Sequence, residues 1–123
     1  MAAETELQNG LAGTRRWRRF RFDVPVRVVL WRDGRGLEFA ARGIGINEGG
    51  IGIYVQAPLQ AGELVYVEFV PPYSGLAVRV RGTVRYSKDN LYGVEFLAEN
   101  AGEWQEVELF RRMLRAATDR LGE

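Results

Sequence analysis

A dense run of arginine is the first feature of this sequence that could do chemistry. Five arginines fall within the seven-residue segment Arg15–Arg21 (RRWRRFR). A guanidinium group presents a planar fork of donors that matches phosphate oxygens and the O6/N7 edge of guanine, and it also stacks on base faces. The segment could therefore hold a guanine nucleotide by its base and its phosphate. The alternative is a solvated basic arm that attracts nucleic acid through charge alone.

A second polar constellation lies in the glycine-rich segment 43–53. Its turn-forming and polar residues are Gly43, Gly45, Asn47, Gly49, Gly50 and Gly52. Glycines allow positive φ or the close approach of backbone and a planar ligand, and the Asn47 amide can donate and accept hydrogen bonds. The alternative is a plain glycine-rich connection between strands. Because a strand pattern follows, the segment is not a phosphate-binding loop of the P-loop type.

Several reaction classes lack the residues that they need. The sequence has no cysteine and no histidine, which removes disulfides, thiolate chemistry, the usual ligands of zinc and copper, and the commonest general base. The acidic residues form no evident acid/base pair, and the one lysine, Lys88, falls in a predicted turn. We expect a protein that is not an enzyme and that carries no metal and no cofactor.

Length and composition indicate one globular domain. The chain has 123 residues, of which 46% are hydrophobic and 27% charged, and its formal net charge is +1. Its apolar stretches are short and interrupted, which predicts no membrane span. Glu4 and Glu6 stand where a secretory signal would carry a basic start and an apolar run. We expect a cytoplasmic protein.

Period-two alternation of hydrophobic residues begins at Phe22 and predicts a half-buried strand to Leu30. Pro25 within it indicates an edge position or a bulge, and Gly82 in a later strand indicates another bulge. Five further strands are predicted at 37–44, 51–55, 64–70, 76–86 and 91–97, with turn signals at 32–36, 71–75 and 87–90. Strands at this spacing predict an antiparallel barrel or sandwich.

The C-terminal segment changes to helical spacing. The apolar positions are Trp104, Val107, Phe110, Met113, Leu114, Ala117 and Leu121. Asn100 and Glu103 form a capping-box pattern at the start. The apolar stripe must cover the barrel mouth or the helix of a partner. For Trp104 and Phe110 the simplest interpretation is core, and an interface is the alternative.

Two other tryptophans, Trp17 and Trp31, are candidates for ligand contact. Trp17, inside the arginine run, could stack on a base or anchor the arm by hydrophobic contact. Trp31, at the end of the first strand, is better explained by packing. The predicted organisation is a flexible tail (1–14), an arginine-rich hinge that binds ligand (15–21), a barrel (22–98) and a helix (99–123), together forming one domain.

Taken together, these segments resemble the PilZ family. That family has an RxxxR motif before its first barrel strand, which Arg15 and Arg19 supply, and Pro25-Val26 lies where PilZ sequences often carry Pro-Val. The segment 45–50 (GINEGG) aligns with the family's D/N-x-S-x-x-G motif, and 80–86 with 92–97 (YGVEFL) resemble its closing strands. The resemblance covers Arg15 to Leu97 and implies a mainly β fold, a six-stranded antiparallel barrel of the PilZ type with a C-terminal amphipathic helix.

The resemblance also implies a ligand and a site. PilZ arginines hold the guanines and phosphates of cyclic di-GMP, often as an intercalated dimer of the ligand, which implies these roles for Arg15 and Arg19. It implies base contacts at Asn47 and Gly50. Arg16 and Arg21 are rivals for the arginine pair.

Two positions depart from the family motif. Gly45 stands where the family has Asp or Asn, and Asn47 stands where it has Ser. Losing one bidentate base contact costs about 1–3 kcal/mol. That is roughly one to two powers of ten in affinity, which is survivable if the arginine contacts remain.

Three functions follow as hypotheses. The first is a bacterial second-messenger receptor that binds cyclic di-GMP, changes conformation and regulates an unidentified protein effector. The second, favoured by Gly45, is a PilZ-like protein interaction module that binds no nucleotide. The third is a barrel that binds single-stranded nucleic acid, with Trp17 and Phe20 as stacking platforms. The near-neutral charge outside the arginine segment argues against the third.

Overall fold

Six β-strands followed by one helix make up the fold. The computed structural model describes the backbone of residues 20–70 and 75–121 and the side chains of residues 23–70 and 75–117. The elements are β1 (Phe20–Arg32), β2 (Arg35–Ile46), β3 (Gly50–Tyr54), β4 (Leu64–Phe69), β5 (Val78–Lys88), β6 (Leu91–Phe96) and α1 (Ala101–Leu121). The predicted tail (1–14) and residues 15–19 of the predicted hinge lie outside the described residues. Phe20 and Arg21, predicted as hinge, are the first residues of β1.

The strands form a closed antiparallel barrel in the order β1-β2-β3-β6-β5-β4. Every neighbouring pair is antiparallel, including the β1–β4 pair that closes the ring. The six-stranded barrel predicted from the sequence is therefore confirmed, and the sandwich alternative is wrong.

The hydrophobic residues of the alternating pattern form the core of the barrel. In β1, Val24, Val26, Val28 and Leu30 are buried while Asp23, Pro25 and Arg27 are exposed. Side chains of a strand point to opposite faces in turn, so one face of each strand supplies the core. The other strands contribute Ile51, Ile53, Val65, Val67, Val80, Val84, Val94 and Phe96 to the same cluster.

Two tight turns follow from residues that tolerate positive φ. Asp33 (φ 53°) and Gly34 (φ 76°) connect β1 to β2 as a two-residue hairpin, the geometry that Asp-Gly favours. Asp89 (φ 59°) begins the turn between β5 and β6. Both turns were predicted from the sequence.

The ladders on either side of β2 each contain one irregularity. The β1–β2 register shifts between Arg21 and Val24, just before Pro25, and β1 pairs with β4 only from Arg27 onwards. Pro25 therefore lies directly after the shift and outside the β1–β4 pairing, which agrees with the predicted edge position or bulge. A further shift lies in β2, between Gly43 and Gly45.

The predicted bulge at Gly82 is wrong. Gly82 stays in register with Val65 and Phe96, and the shift of the β5–β6 ladder lies between Val84 and Tyr86 instead. A Cβ at Gly82 would meet the carbonyl oxygen of Glu95 at 2.8 Å. Gly82 is therefore needed for close strand packing and not for a bulge.

Helix α1 packs against β5 and β1 and completes the core. Val107, Phe110, Leu114 and Ala117 are buried, and the Phe110 ring meets Phe96 edge-to-face with centroids 6.2 Å apart. The prediction that Trp104 is core is wrong, because half of its surface (50%) is exposed. Trp104 lies at the margin of the buried stripe. Within the described parts of the chain, no helix is long and apolar enough to cross a membrane.

The start of α1 is capped as the sequence predicts. The Asn100 Oδ1 atom accepts a hydrogen bond of 2.9 Å from the Glu103 N–H, and the Glu103 carboxylate accepts one of 2.7 Å from the Glu99 N–H. Replacing Asn100 with alanine leaves the Glu103 N–H without this partner. We expect the free energy of unfolding to fall by about 1 kcal/mol. Urea denaturation of both proteins tests this, and an unchanged midpoint would contradict the capping role.

Candidate functional site

A groove of about 500 Å³ runs across the outer surface of the barrel. It lies over the ends of β2 and β5 and over β3 and β6. Its lining consists of the segments 44–47, 49–52, 85–86 and 91–95. The glycine-rich segment singled out in the sequence therefore forms one side of a cavity of the size typical for small-molecule sites.

The floor of the groove is a row of glycines from neighbouring strands. Gly45 in β2 is in register with Gly52 in β3, which is in register with Gly93 in β6. A Cβ on Gly52 would meet nothing closer than the Ile44 side chain at 3.7 Å, so the surface above it is open. Strands lie ~4.8 Å apart, so this row, the glycine strip, is roughly 10 Å long. Its middle residue, Gly52, is the open part.

Tyr86 closes one end of this strip. It is in register with Gly93, and its ring occupies the space that a Cβ on Gly93 would need. The side chain is nevertheless largely exposed. An aromatic ring laid over a glycine both stabilises the sheet and offers a face on which a base could stack.

Asn47 shapes the turn between β2 and β3. Its Oδ1 atom accepts hydrogen bonds from the backbone N–H groups of Gly49 (2.8 Å) and Gly50 (3.0 Å). Only the oxygen of the amide can accept, so the Asn47 NH₂ group is the part left to donate into the groove. The loop predicted over the whole segment 43–53 is confined to residues 47–49, because β2 and β3 include the rest.

Gly50 lines the groove, and the backbone of the neighbouring strand leaves no room there for a side chain. A Cβ there would collide with the carbonyl oxygen of Val94 in β6. In segment 43–52, none of the glycines adopts positive φ. Close backbone approach, the other half of the sequence prediction, is therefore what the structure shows at Gly50. Its predicted contact with a ligand stays a prediction.

The arginine run enters the barrel beside this groove. Phe20 is in register with Ile46, and Arg21 with Gly45, so β1 begins next to the Asn47 turn. Arg21 thus stands in the same cross-strand row as the three glycines. Arg15, Arg16 and Arg19 lie outside the described residues. An extended chain spans at most ~3.6 Å per residue, so Arg15 is connected to Phe20 by no more than roughly 18 Å.

The groove also has charged and aromatic side chains that the sequence did not single out. These are Arg85, Tyr86 and Glu95, and the Arg85 Nε atom lies 3.1 Å from a Glu95 carboxylate oxygen. Tyr92 contributes little polarity, because its buried hydroxyl donates to the Ala57 carbonyl and accepts from the Leu59 N–H. Alternation around Val94 and Phe96 could have shown that Glu95 faces outward. No local signal places Tyr86 over Gly93.

Comparison with protein-family models gives a match to the PilZ domain over residues 14–114. The chain belongs to the PilZ domain family. The match covers the arginine segment, the whole barrel and most of α1. It confirms the family inferred from the sequence motifs.

Solved structures of PilZ domains have the same fold. The PilZ domain of CeSA from a cellulose-synthesizing bacterium has a TM-score of 0.62 at 17% identity, over 80% of this chain and 97% of that one. The PilZ domain with c-di-GMP of YcgR from Escherichia coli has 0.60 at 16%, over 90% and 99%. The inhibitor of motility MotI/DgrA of Bacillus subtilis has 0.54 at 18%, over 85% and 53%. Comparison with curated protein sequences gives no match.

Proposed function

We propose that this PilZ domain binds cyclic di-GMP in the groove and regulates a partner protein in response. The observation that carries the proposal is the β1–β2 register, which sets Arg21 beside Gly45 and so brings the arginine run to the glycine strip. The YcgR PilZ domain, which has the same fold, was solved with c-di-GMP. That structure supports the choice of ligand.

Each part of the site has a role in this proposal. Arg15 and Arg19, with Arg16 and Arg21 as rivals, hold phosphates and guanine edges through their planar donor forks. The open part of the strip at Gly52, beside the Tyr86 ring that covers Gly93, accepts a planar base against the sheet. The Asn47 NH₂ group donates to an acceptor on the ligand, such as guanine O6.

Ligand binding would act on the arginine segment first. The segment folds over the nucleotide and reorients the N-terminal tail or α1 relative to the barrel, which exposes or hides a surface for a protein effector. The protein then works as a bacterial cytoplasmic receptor without catalytic activity of its own.

Isothermal titration of the full chain with cyclic di-GMP tests the proposal. We expect saturable heat at one ligand per chain, or at two if the ligand binds as an intercalated dimer. Amide chemical shifts of Gly52 and Gly93 should change during the same titration, because both line the strip. No heat and no shift change would refute nucleotide binding.

A second function has its own supporting observation. Gly45 removes the side chain that the PilZ motif uses for a base, which favours an interaction module that binds no nucleotide. Trp104 and Leu109 on α1 are exposed hydrophobic residues that such a module could present. This alternative predicts a folded protein with no affinity for cyclic di-GMP, and a partner whose binding is lost in Trp104→Ala.

A further inference from the structure

A guanine base in the groove needs hydrogen-bond acceptors. Its Watson–Crick edge carries the N1–H and N2–H₂ donors, which a carboxylate with its two acceptor oxygens matches. Gly45 has no side chain to accept them. The Asn47 oxygen already accepts two backbone N–H groups of its own turn. The two polar positions of the motif, Gly45 and Asn47, therefore both lack a free side-chain acceptor.

One carboxylate does line the groove among the residues with described side chains. Glu95 faces outward from β6, in register with Gly50 across the ladder and two residues from Gly93 of the strip. Its side chain is 56% exposed, so its oxygens remain open to a ligand. Glu48, the neighbouring acidic residue of the turn, is not part of the lining.

The Glu95 carboxylate has an ion-pair partner on the neighbouring strand β5. The Arg85 Nε atom lies 3.1 Å from Oε1, and Arg85 itself stands at the shift in the β5–β6 ladder. An ion pair this exposed adds little to stability. It leaves lone pairs on both oxygens for further donors.

We propose that Glu95 reads the guanine edge of the ligand and replaces the side chain missing at Gly45. The proposal rests on the function proposed above. The two carboxylate oxygens accept from N1–H and N2–H₂ of a base lying on the glycine strip. Adenine has an acceptor at N1 and no amino group at C2, so Glu95 selects guanine and rejects adenine. Glu95 thus determines base specificity from β6, the strand that pairs with the end of the PilZ motif at Gly50.

The test compares wild type and Glu95→Gln in titrations with cyclic di-GMP and cyclic di-AMP. We expect wild type to prefer cyclic di-GMP and the variant to lose about 10- to 100-fold in affinity for it. Affinity for cyclic di-AMP should not fall. The ratio of the two affinities is the readout, because freeing Arg85 would act equally on both ligands. Glu48→Gln, which removes the same charge beside the groove, should leave the ratio unchanged.

Three results would overturn the proposal. If the variant keeps the wild-type ratio, or loses both ligands equally, Glu95 does not read guanine, although the function proposed above would stand. If wild type binds both dinucleotides equally, the base is not read there. If wild type binds neither, the proposed function fails and this inference fails with it. Thermal unfolding of each variant shows that the fold is intact.

Discussion

Replacing Arg19 with alanine is expected to weaken the binding of cyclic di-GMP by at least about 100-fold. A guanidinium that contacts an anionic ligand makes charge-assisted hydrogen bonds of about 1.5–3 kcal/mol each, and the planar fork makes two at once. Losing about 3 kcal/mol corresponds to roughly two powers of ten. Arg19 directly precedes β1, which begins beside the groove. Isothermal titration of both proteins measures the change.

Controls separate this effect from overall charge. Arg112→Ala removes an exposed arginine on α1 and should bind like wild type. Arg19→Lys keeps the positive charge but not the planar donor fork of the guanidinium, so it should lose most of the affinity for cyclic di-GMP. If Arg16→Ala or Arg21→Ala has the larger effect, the pair is Arg16 with Arg21. An equal loss in Arg112→Ala would point to non-specific attraction of anions.

Replacing Phe110 with alanine is expected to lower the free energy of unfolding by about 3–5 kcal/mol. The side chain is fully buried (0% exposed) and its ring packs edge-to-face on Phe96, a residue of the barrel core. Its removal leaves a cavity between α1 and the barrel, which adds to the lost burial of the ring. Urea denaturation followed by circular dichroism measures the loss.

The matched control is on the same helix. Leu109→Ala removes a side chain that is 42% exposed, and it should cost less than about 1 kcal/mol because surface substitutions are usually mild. If both substitutions cost the same, α1 would not be attached to the barrel through Phe110. The apolar stripe of α1 would then pack against a surface other than the barrel.

Most of the fold could be predicted from the sequence because alternation was regular. Valines in β1 repeat every second residue, and the barrel buries them in that order. The irregular points were harder. Gly82 suggested a bulge by its type, yet it serves the close approach of β6, while the shift at Arg85 has no marker in the sequence. Trp104 fits the helical period, but its position at the margin of the stripe depends on how α1 packs.

Half of the candidate site could be predicted by residue type alone. Arginine at 15–21 and glycine at 43–53 are residue types that suit phosphate binding and close backbone approach, and they are visible without knowledge of the strand order. The opposite side of the groove could not be found in this way. Arg85, Tyr86 and Glu95 are far along the chain, and they reach the groove because β6 lies between β3 and β5 in the barrel. Only the strand order shows this.

The six strand pairs of the barrel differ in the number of residues that they pair. Only three residue pairs, Arg27–Val29 with Tyr66–Glu68, join β1 to β4, and they bring together parts of the chain that are distant in sequence. Pairing between such distant segments is slow to form in folding, and the Arg27–Glu68 ion pair at 3.2 Å links the two strands on the outside of the barrel. The β1–β4 seam is diametrically opposite the β3–β6 boundary on which the groove is centred. An opening at the β1–β4 seam would therefore leave the β2–β3 and β3–β6 ladders beneath the groove paired.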